Sequence, residues 1–261
     1  MSTSNPIVTL LTDFGLRDHF VAAMKGAMLG INPELRFTDI SHLVPPQDVF
    51  SGAFTLGQAC FYFPRGTIHL AVVDPGVGTE RKPIAVSAGG HFFVAPDNGL
   101  LTYVLESQGD WAAYEVIAED YFLKPLSATF HGRDIFAPVA AWLSRGISLQ
   151  QLGPALPDPV RLKIPPLEKV RDAQIRGCVL AVDHFGNLIT NLKPENLPSS
   201  GKILAGRREV AAIHKTYAEG KTGEVFIIPG STGYLEIAVK EGSAASLLNL
   251  KSGDPITVIL S

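Results

Sequence analysis

The chain has 261 residues, 46% of them hydrophobic and 18% charged, with a formal net charge of −3. That length and apolar fraction fit a globular chain with a sizeable core, in one large domain or two unequal ones, and exclude a disordered one. The small negative charge gives no electrostatic footprint for nucleic acid or acidic membranes, and no apolar run approaches the ~18 residues of a membrane helix.

From Ile7 to about Ser144, short apolar strands alternate with helix-like stretches. Ile7–Thr12 reads as a strand and Asp18–Leu29 as a helix, with Phe20, Met24 and Met28 at i, i+4 and i+8. Leu35–Ile40 reads as strand, Val49–Phe63 as helix and Thr67–Val73 as a buried strand. Pro83–Ala88 and His91–Ala95 are expected to pair about a tight Gly89-Gly90 turn. Leu100–Ser107 (helix), Ala112–Val116 (strand) and Ile135–Ser144 (helix) follow. This order predicts an α/β domain with a mostly parallel sheet covered by helices.

Prolines at 154, 157, 159, 165 and 166 mark Pro154–Arg171 as a linker, because such a stretch continues neither a helix nor a central strand. The expected domains are therefore 1–160 and 161–261. Beyond the linker the pattern turns strand-like, over Gln174–Val182, Leu188–Leu192, Glu209–Ile213, Glu224–Ile228, Leu235–Val239 and Pro255–Leu260. Gly and Asn punctuation between these runs predicts a smaller antiparallel, barrel-like domain. Cys60 and Cys178, each among apolar residues, read as buried free thiols of a reducing compartment. With no basic region leading into a long apolar core at the N-terminus, a cytoplasmic protein is expected.

Asp74 follows a buried strand and opens the turn Asp74-Pro75-Gly76-Val77-Gly78-Thr79-Glu80-Arg81. Open α/β sheets bind ligands at the carboxyl ends of their strands, so this Asp and Arg read either as site residues or as an exposed ion pair. The turn has neither Gly-x-Gly-x-x-Gly nor the Walker lysine, which argues against dinucleotides and triphosphates. Asp13 ends the first strand, where it suits a ribose diol or a turn before the next helix. His131 sits in Thr129-Phe130-His131-Gly132-Arg133-Asp134. It reads as a surface or core histidine, or as part of a polar site with Asp74 and Arg81. None of the seven histidines shows metal-ligand spacing, so no metal is expected. In the second half, Asp183 can pair with an ammonium and Asn187 can meet a nucleobase edge. The loop Pro229–Tyr234, with Ser231, can hold a carboxylate; each of these segments also reads as an ordinary turn.

Taken together the segments resemble the adenosine-forming S-adenosylmethionine hydrolases, also called S-adenosylmethionine hydroxide adenosyltransferases. The resemblance covers nearly the whole chain. It rests on Leu11–Gly15, Val73–Thr79, Ala95–Leu100, Thr129–Asp134, Asp183–Asn187 and Gly233–Ala238 in order. It implies an N-terminal α/β domain, a C-terminal β-barrel-like domain, and a homotrimer with active sites between subunits. It also implies a catalytic set Asp74, Arg81 and His131, with Asp13 on the ribose. Asp183 matches a methionine-amino contact, Asn187 an adenine contact and Ser231 a methionine-carboxylate contact. S-adenosylmethionine is then the substrate, and no cofactor is expected. Thr232 departs from the serine or arginine often found at its position in the family.

The sister fluorinase carries tyrosine where this chain has Asp74, serine at Gly132 and a long insertion at Gly89-Gly90; all three differences point to water rather than halide. The implied reaction is attack of water or hydroxide on ribose C5′, expelling methionine as a neutral thioether. Arg81 would stabilise developing hydroxide, and either Asp74 or His131 would take the proton. A halide-using, chlorinase-like adenosyl transferase and a non-catalytic module that binds adenosine or S-adenosylmethionine are the alternatives.

Overall fold

The computed structural model describes residues 5–171, 173–198 and 200–260. The chain forms two compact units, the first ending at Leu162 and the second beginning at Lys163.

The first unit begins with β1 (Ile7–Thr12), α1 (Phe20–Ile31), β2 (Arg36–Ser41), α2 (Val49–Ala59) and β3 (Ile68–Val72). It continues through β4 (Pro83–Ala88), β5 (His91–Pro96), α3 (Thr102–Ser107), β6 (Trp111–Glu115) and α4 (Ala137–Ser144). The six strands form one sheet in the order β2-β1-β3-β5-β4-β6. The first four run parallel, and β4 is antiparallel to both neighbours.

The sheet is buried on both faces, and its strands divide their side chains with period two. Val8, Leu10, Ile68, Leu70 and Val72 join a core with Met24, Met28, Val139 and Ala140. Leu11, Ala71 and Val73 join the opposite core with Ala53, Leu56 and Val104. Side chains such as Met24 and Met28, fully buried, each contribute about 1.5–3 kcal/mol. β1 feeds β2 on one side and has β3 on the other, so the strand order reverses between β1 and β3. The crevice at the carboxyl ends of these two strands is where such sheets bind ligands.

Two helices differ from the sequence expectation for identifiable reasons. α2 stops at Ala59 and tightens into a single turn over Cys60–Tyr62, because Pro64 forces Phe63 into an extended conformation. The run expected as one helix over Ile135–Ser144 becomes a wide π-type turn, Gly132–Phe136, leading into α4. Pro138 explains it. With no N–H and a ring that crowds the carbonyl four residues back, it frees the Asp134 carbonyl, which accepts from the Leu123 N–H at 2.8 Å.

In the second unit, β7 (Glu168–Arg171), β8 (Gln174–Val182), β9 (Leu188–Thr190), β10 (Lys202–Ala205) and β11 (Arg208–Val210) come first. β12 (Val225–Pro229), β13 (Leu235–Val239), α5 (Ala244–Leu248) and β14 (Pro255–Ile259) complete it. The strands form an antiparallel path β11-β10-β14-β8-β9-β13-β12, with β7 beside β8. The run expected as one strand over Glu209–Ile213 leaves the β10 ladder after Val210. It then pairs Ile213 with Ile227 of β12, drawing the two ends of the path into a nearly closed barrel. The segment Pro154–Arg171, read as linker throughout, ends in β7.

Candidate active site

Asp74 lies just beyond β3, and the turn after it carries the chain back so that Arg81 grips its carboxylate. Arg81 Nε donates to Oδ1 at 2.8 Å and to Oδ2 at 3.0 Å, and Nη2 makes a further close contact with Oδ2. Gly78, with φ +76°, is required in this turn, since a Cβ there would stand 2.5 Å from the Ala128 carbonyl oxygen. Arg81 packs its guanidinium 5.0 Å from the Phe136 ring centre. Both charged side chains are nearly buried, at 9% and 5% exposure.

The same Arg81 Nη2 reaches His131 Nδ1 at 3.0 Å. An arginine only donates, so Nδ1 is the acceptor and the imidazole is neutral with its proton on Nε2. Burial, then the Arg81 charge, holds the His131 pKa below its ordinary value, while Asp74 and Asp134 pull it partly back. The sequence neighbours of His131 have a different task. Asp134, fully buried, takes Arg133 on both oxygens at 2.6 and 3.0 Å and accepts from the Ser127 N–H at 2.8 Å, fixing the loop beneath the histidine. Asp74, Arg81 and His131 are thus one hydrogen-bonded set.

Asp13 stands past the end of the adjacent strand β1. Its Oδ2 accepts from the Gln47 N–H at 2.8 Å, leaving further lone pairs open. Among the described residues it makes no bond to the Asp74 set.

In the second unit, Asp183, Asn187 and Ser231 line one cavity of about 620 Å³ with Phe185, Tyr217 and Glu236. Asp183 closes its own turn, accepting from the N–H groups of Phe185 and Asn187 and from the Asn187 side-chain amide, all within 2.9 Å. Asn187 Oδ1 has no protein partner among the described residues. Ser231 is exposed. Among the described residues no group of three or more His, Cys, Asp and Glu could hold a metal ion. No helix among them is long and apolar enough to cross a membrane.

The profile of the SAM hydroxide adenosyltransferase N-terminal domain matches residues 8–153, and that of the SAM hydroxide adenosyltransferase C-terminal domain matches residues 177–257. The chain belongs to the SAM hydroxide adenosyltransferase family. A (R)-S-adenosyl-L-methionine hydrolase of Salinispora tropica is 42% identical over 97% of each chain. A fluorinase of Actinopolyspora mzabensis is more distant, 30% identical over 100% of this chain and 99% of its own. Among solved structures, an uncharacterized conserved protein from Thermotoga maritima has a TM-score of 0.90 at 39% identity, covering 97% of this chain and 99% of that one.

Two polar residues of the second unit escaped the sequence reading of the site. Tyr217 donates its hydroxyl hydrogen to Glu236 Oε2 at 2.5 Å, within the cavity that Asp183 lines. Glu236 did leave a signal: a lone carboxylate in the apolar strand Leu235-Glu236-Ile237-Ala238-Val239.

Proposed function

We propose that the chain hydrolyses S-adenosyl-L-methionine to adenosine and L-methionine. The observation that carries this is the Asp74–Arg81–His131 set at the carboxyl end of β3, in a member of a family whose relatives are named (R)-S-adenosyl-L-methionine hydrolases. A water oxygen forms a bond to ribose C5′ as the C5′–S bond breaks. The bonding pair stays on sulfur, which leaves as a neutral thioether needing no acid. The remaining demand is on water, whose pKa is about 15.7 and which must be oriented and deprotonated.

The bonding pattern favours Asp74 over His131 as proton acceptor. Neutral His131 has a single lone pair, at Nδ1, and it already takes Arg81. A carboxylate offers about four lone-pair sites, so Asp74 keeps capacity beyond its contacts with Arg81. His131 then presents Nε2–H as a donor that orients the water, and Arg81 stabilises negative charge developing on it. Because Asp74 offsets the Arg81 charge, the set is poorly suited to hold a free halide. In-line placement opposite sulfur supplies much of the rate, as positioning alone can be worth on the order of 7–11 kcal/mol.

In this reading Asp13 holds the ribose hydroxyls, Asp183 the methionine ammonium, Asn187 the adenine edge and Ser231 the methionine carboxylate, with no cofactor. We further place the working enzyme in the cytoplasm, in keeping with the buried free thiols Cys60 and Cys178. The two sets of residues are proposed to combine between neighbouring subunits of a homotrimer. Incubation with both sulfonium epimers of S-adenosylmethionine, followed by chromatography, should yield adenosine and methionine in equal amounts. Chlorinated nucleoside in a parallel chloride incubation, without adenosine, would assign the chain to halide transfer; binding without any product would make it a non-catalytic module.

A further inference from the structure

The cavity of the second unit contains a carboxylate that the reaction above leaves idle. Glu236 lies on β13 and is 5% exposed, its remaining exposure in the cavity. Oε2 is clamped by the Tyr217 hydroxyl, whereas Oε1 has no hydrogen-bond partner among the described residues. Neither Glu236 nor Asp183 forms an ion pair with any described residue. Lys240, on the same cavity, sends its Nζ to the Tyr217 carbonyl at 3.2 Å instead.

The backbone is cut away around this group. A Cβ on Gly230 would stand 2.1 Å from Oε1 and 2.6 Å from Cδ, so no other residue fits at 230 while Glu236 keeps its place. A buried carboxylate with one oxygen unmatched and no ion-pair partner is costly, and one kept in a ligand cavity is best explained by a ligand that completes it. Burial, reinforced by the Asp183 charge, raises the Glu236 pKa, against the opposing pull of the Tyr217 hydrogen bond.

The chemistry of the donor set selects the ligand group. An adenine edge presents a donor beside an acceptor, which an amide such as Asn187 matches and an ionised carboxylate does not. An ammonium presents three donors and no acceptor, which suits two carboxylates facing one space. We propose that Glu236 binds the ammonium of the methionyl group together with Asp183, making it a determinant of specificity for substrates with a free α-amino group. This rests on the hydrolase reading, and it adds a second anion to the single amino contact assigned there.

The test compares S-adenosylmethionine with an analogue whose α-amino group is replaced by hydrogen, by KM and by calorimetric Kd. Loss of a charge-assisted contact is worth about 1.5–3 kcal/mol, so Glu236→Gln should weaken S-adenosylmethionine roughly 10- to 150-fold. The analogue should change little, collapsing the discrimination between the two. Adenosine affinity should stay within about twofold, well under 1.4 kcal/mol. Wild-type discrimination in E236Q overturns the proposal, as does a loss confined to adenosine, which would assign Glu236 to the base. If E236Q does not fold, Glu236→Asp decides: it keeps the charge but draws the carboxylate back by one methylene, so discrimination should shrink, and unchanged discrimination there also counts against the proposal. Should the wild type bind S-adenosylmethionine without cleaving it, the hydrolase reading fails, while the Kd ratio still decides the role of Glu236.

Discussion

Replacing Arg81 by lysine keeps the positive charge and removes the fork, so it separates the two things this residue supplies. In the native arrangement Nε and Nη2 hold Asp74 while Nη2 also donates to His131 at 3.0 Å. One ammonium cannot span both partners in that geometry, and His131 Nδ1 loses its donor. A charge-assisted hydrogen bond contributes about 1.5–3 kcal/mol, so the expected fall in kcat is roughly 10- to 150-fold. Arg81→Gln, which also removes the charge, should cost about 10²–10³ or more.

The same variants have a spectroscopic readout. Burial and Arg81 depress the His131 pKa, so the wild-type ring is neutral at pH 7 and any acid limb it contributes to kcat/KM lies below about 6.5. In Arg81→Gln the repulsion is gone, and the ring should titrate at higher pH by NMR, carrying the acid limb with it. Thermal unfolding and calorimetric binding of S-adenosylmethionine establish that the variants are folded and loaded. If Arg81→Lys turned over within about threefold of wild type, less than 1 kcal/mol, the claim that the fork organises the water would be wrong.

Three further outcomes are expected. Asp13→Ala should raise KM roughly tenfold or more, equivalent to about 1.4 kcal/mol, and lower kcat less, since its free lone pairs are assigned to the ribose; an unchanged KM would remove it from the site. His69, fully buried between Thr9 at 2.7 Å and His91 at 3.1 Å, has its pKa pushed down to about 3 by burial and then by His91. The unfolded chain therefore takes that proton first, so stability present above about pH 6.5 is lost as pH falls toward 3. Between pH 7 and 5 the loss is about 2 kcal/mol, and denaturant titrations of His69→Gln should lack that component. Light scattering should give three times the 28.0 kDa chain mass, and full activity in a monomer at nanomolar concentration would contradict shared sites.

What the sequence disclosed follows from how each feature is encoded. β3 was legible because Ile68–Val73 is an apolar run broken only by His69 and closed by Pro75 and Gly76, and the residues after such a strand end are where ligands meet an α/β sheet. β7 was not, because Glu168-Lys169-Val170-Arg171 has no apolar period and is held by its backbone ladder to β8. β10, four residues between Gly201 and Gly206, was too short to register, and its inward Ile203 and Ala205 show their alternation only once β14 is beside them. His131 and Arg81 stand 50 positions apart, so sequence could pair them by resemblance but could not say which nitrogen of the imidazole is free. Asp134, three residues from the histidine, belongs with its buried carboxylate to Arg133 and the Ser127 N–H, a pairing that no spacing in the sequence announces.

The wide turn at Gly132–Phe136 makes the length of this segment as consequential as its chemistry. A π-type turn amounts to one residue inserted in an α-helix, and each residue rotates an α-helix by about 100°. The π-type turn takes up that extra residue locally; if the same residues ran as ordinary helix while α4 stayed docked through Val139 and Ala140, His131 would swing by about that angle around the axis. The Nδ1 lone pair would then leave Arg81 even though every named side chain survived. Variants that keep this length but lose Pro138, which holds the turn open, should therefore be read as having a rewired site, however well their individual residues align.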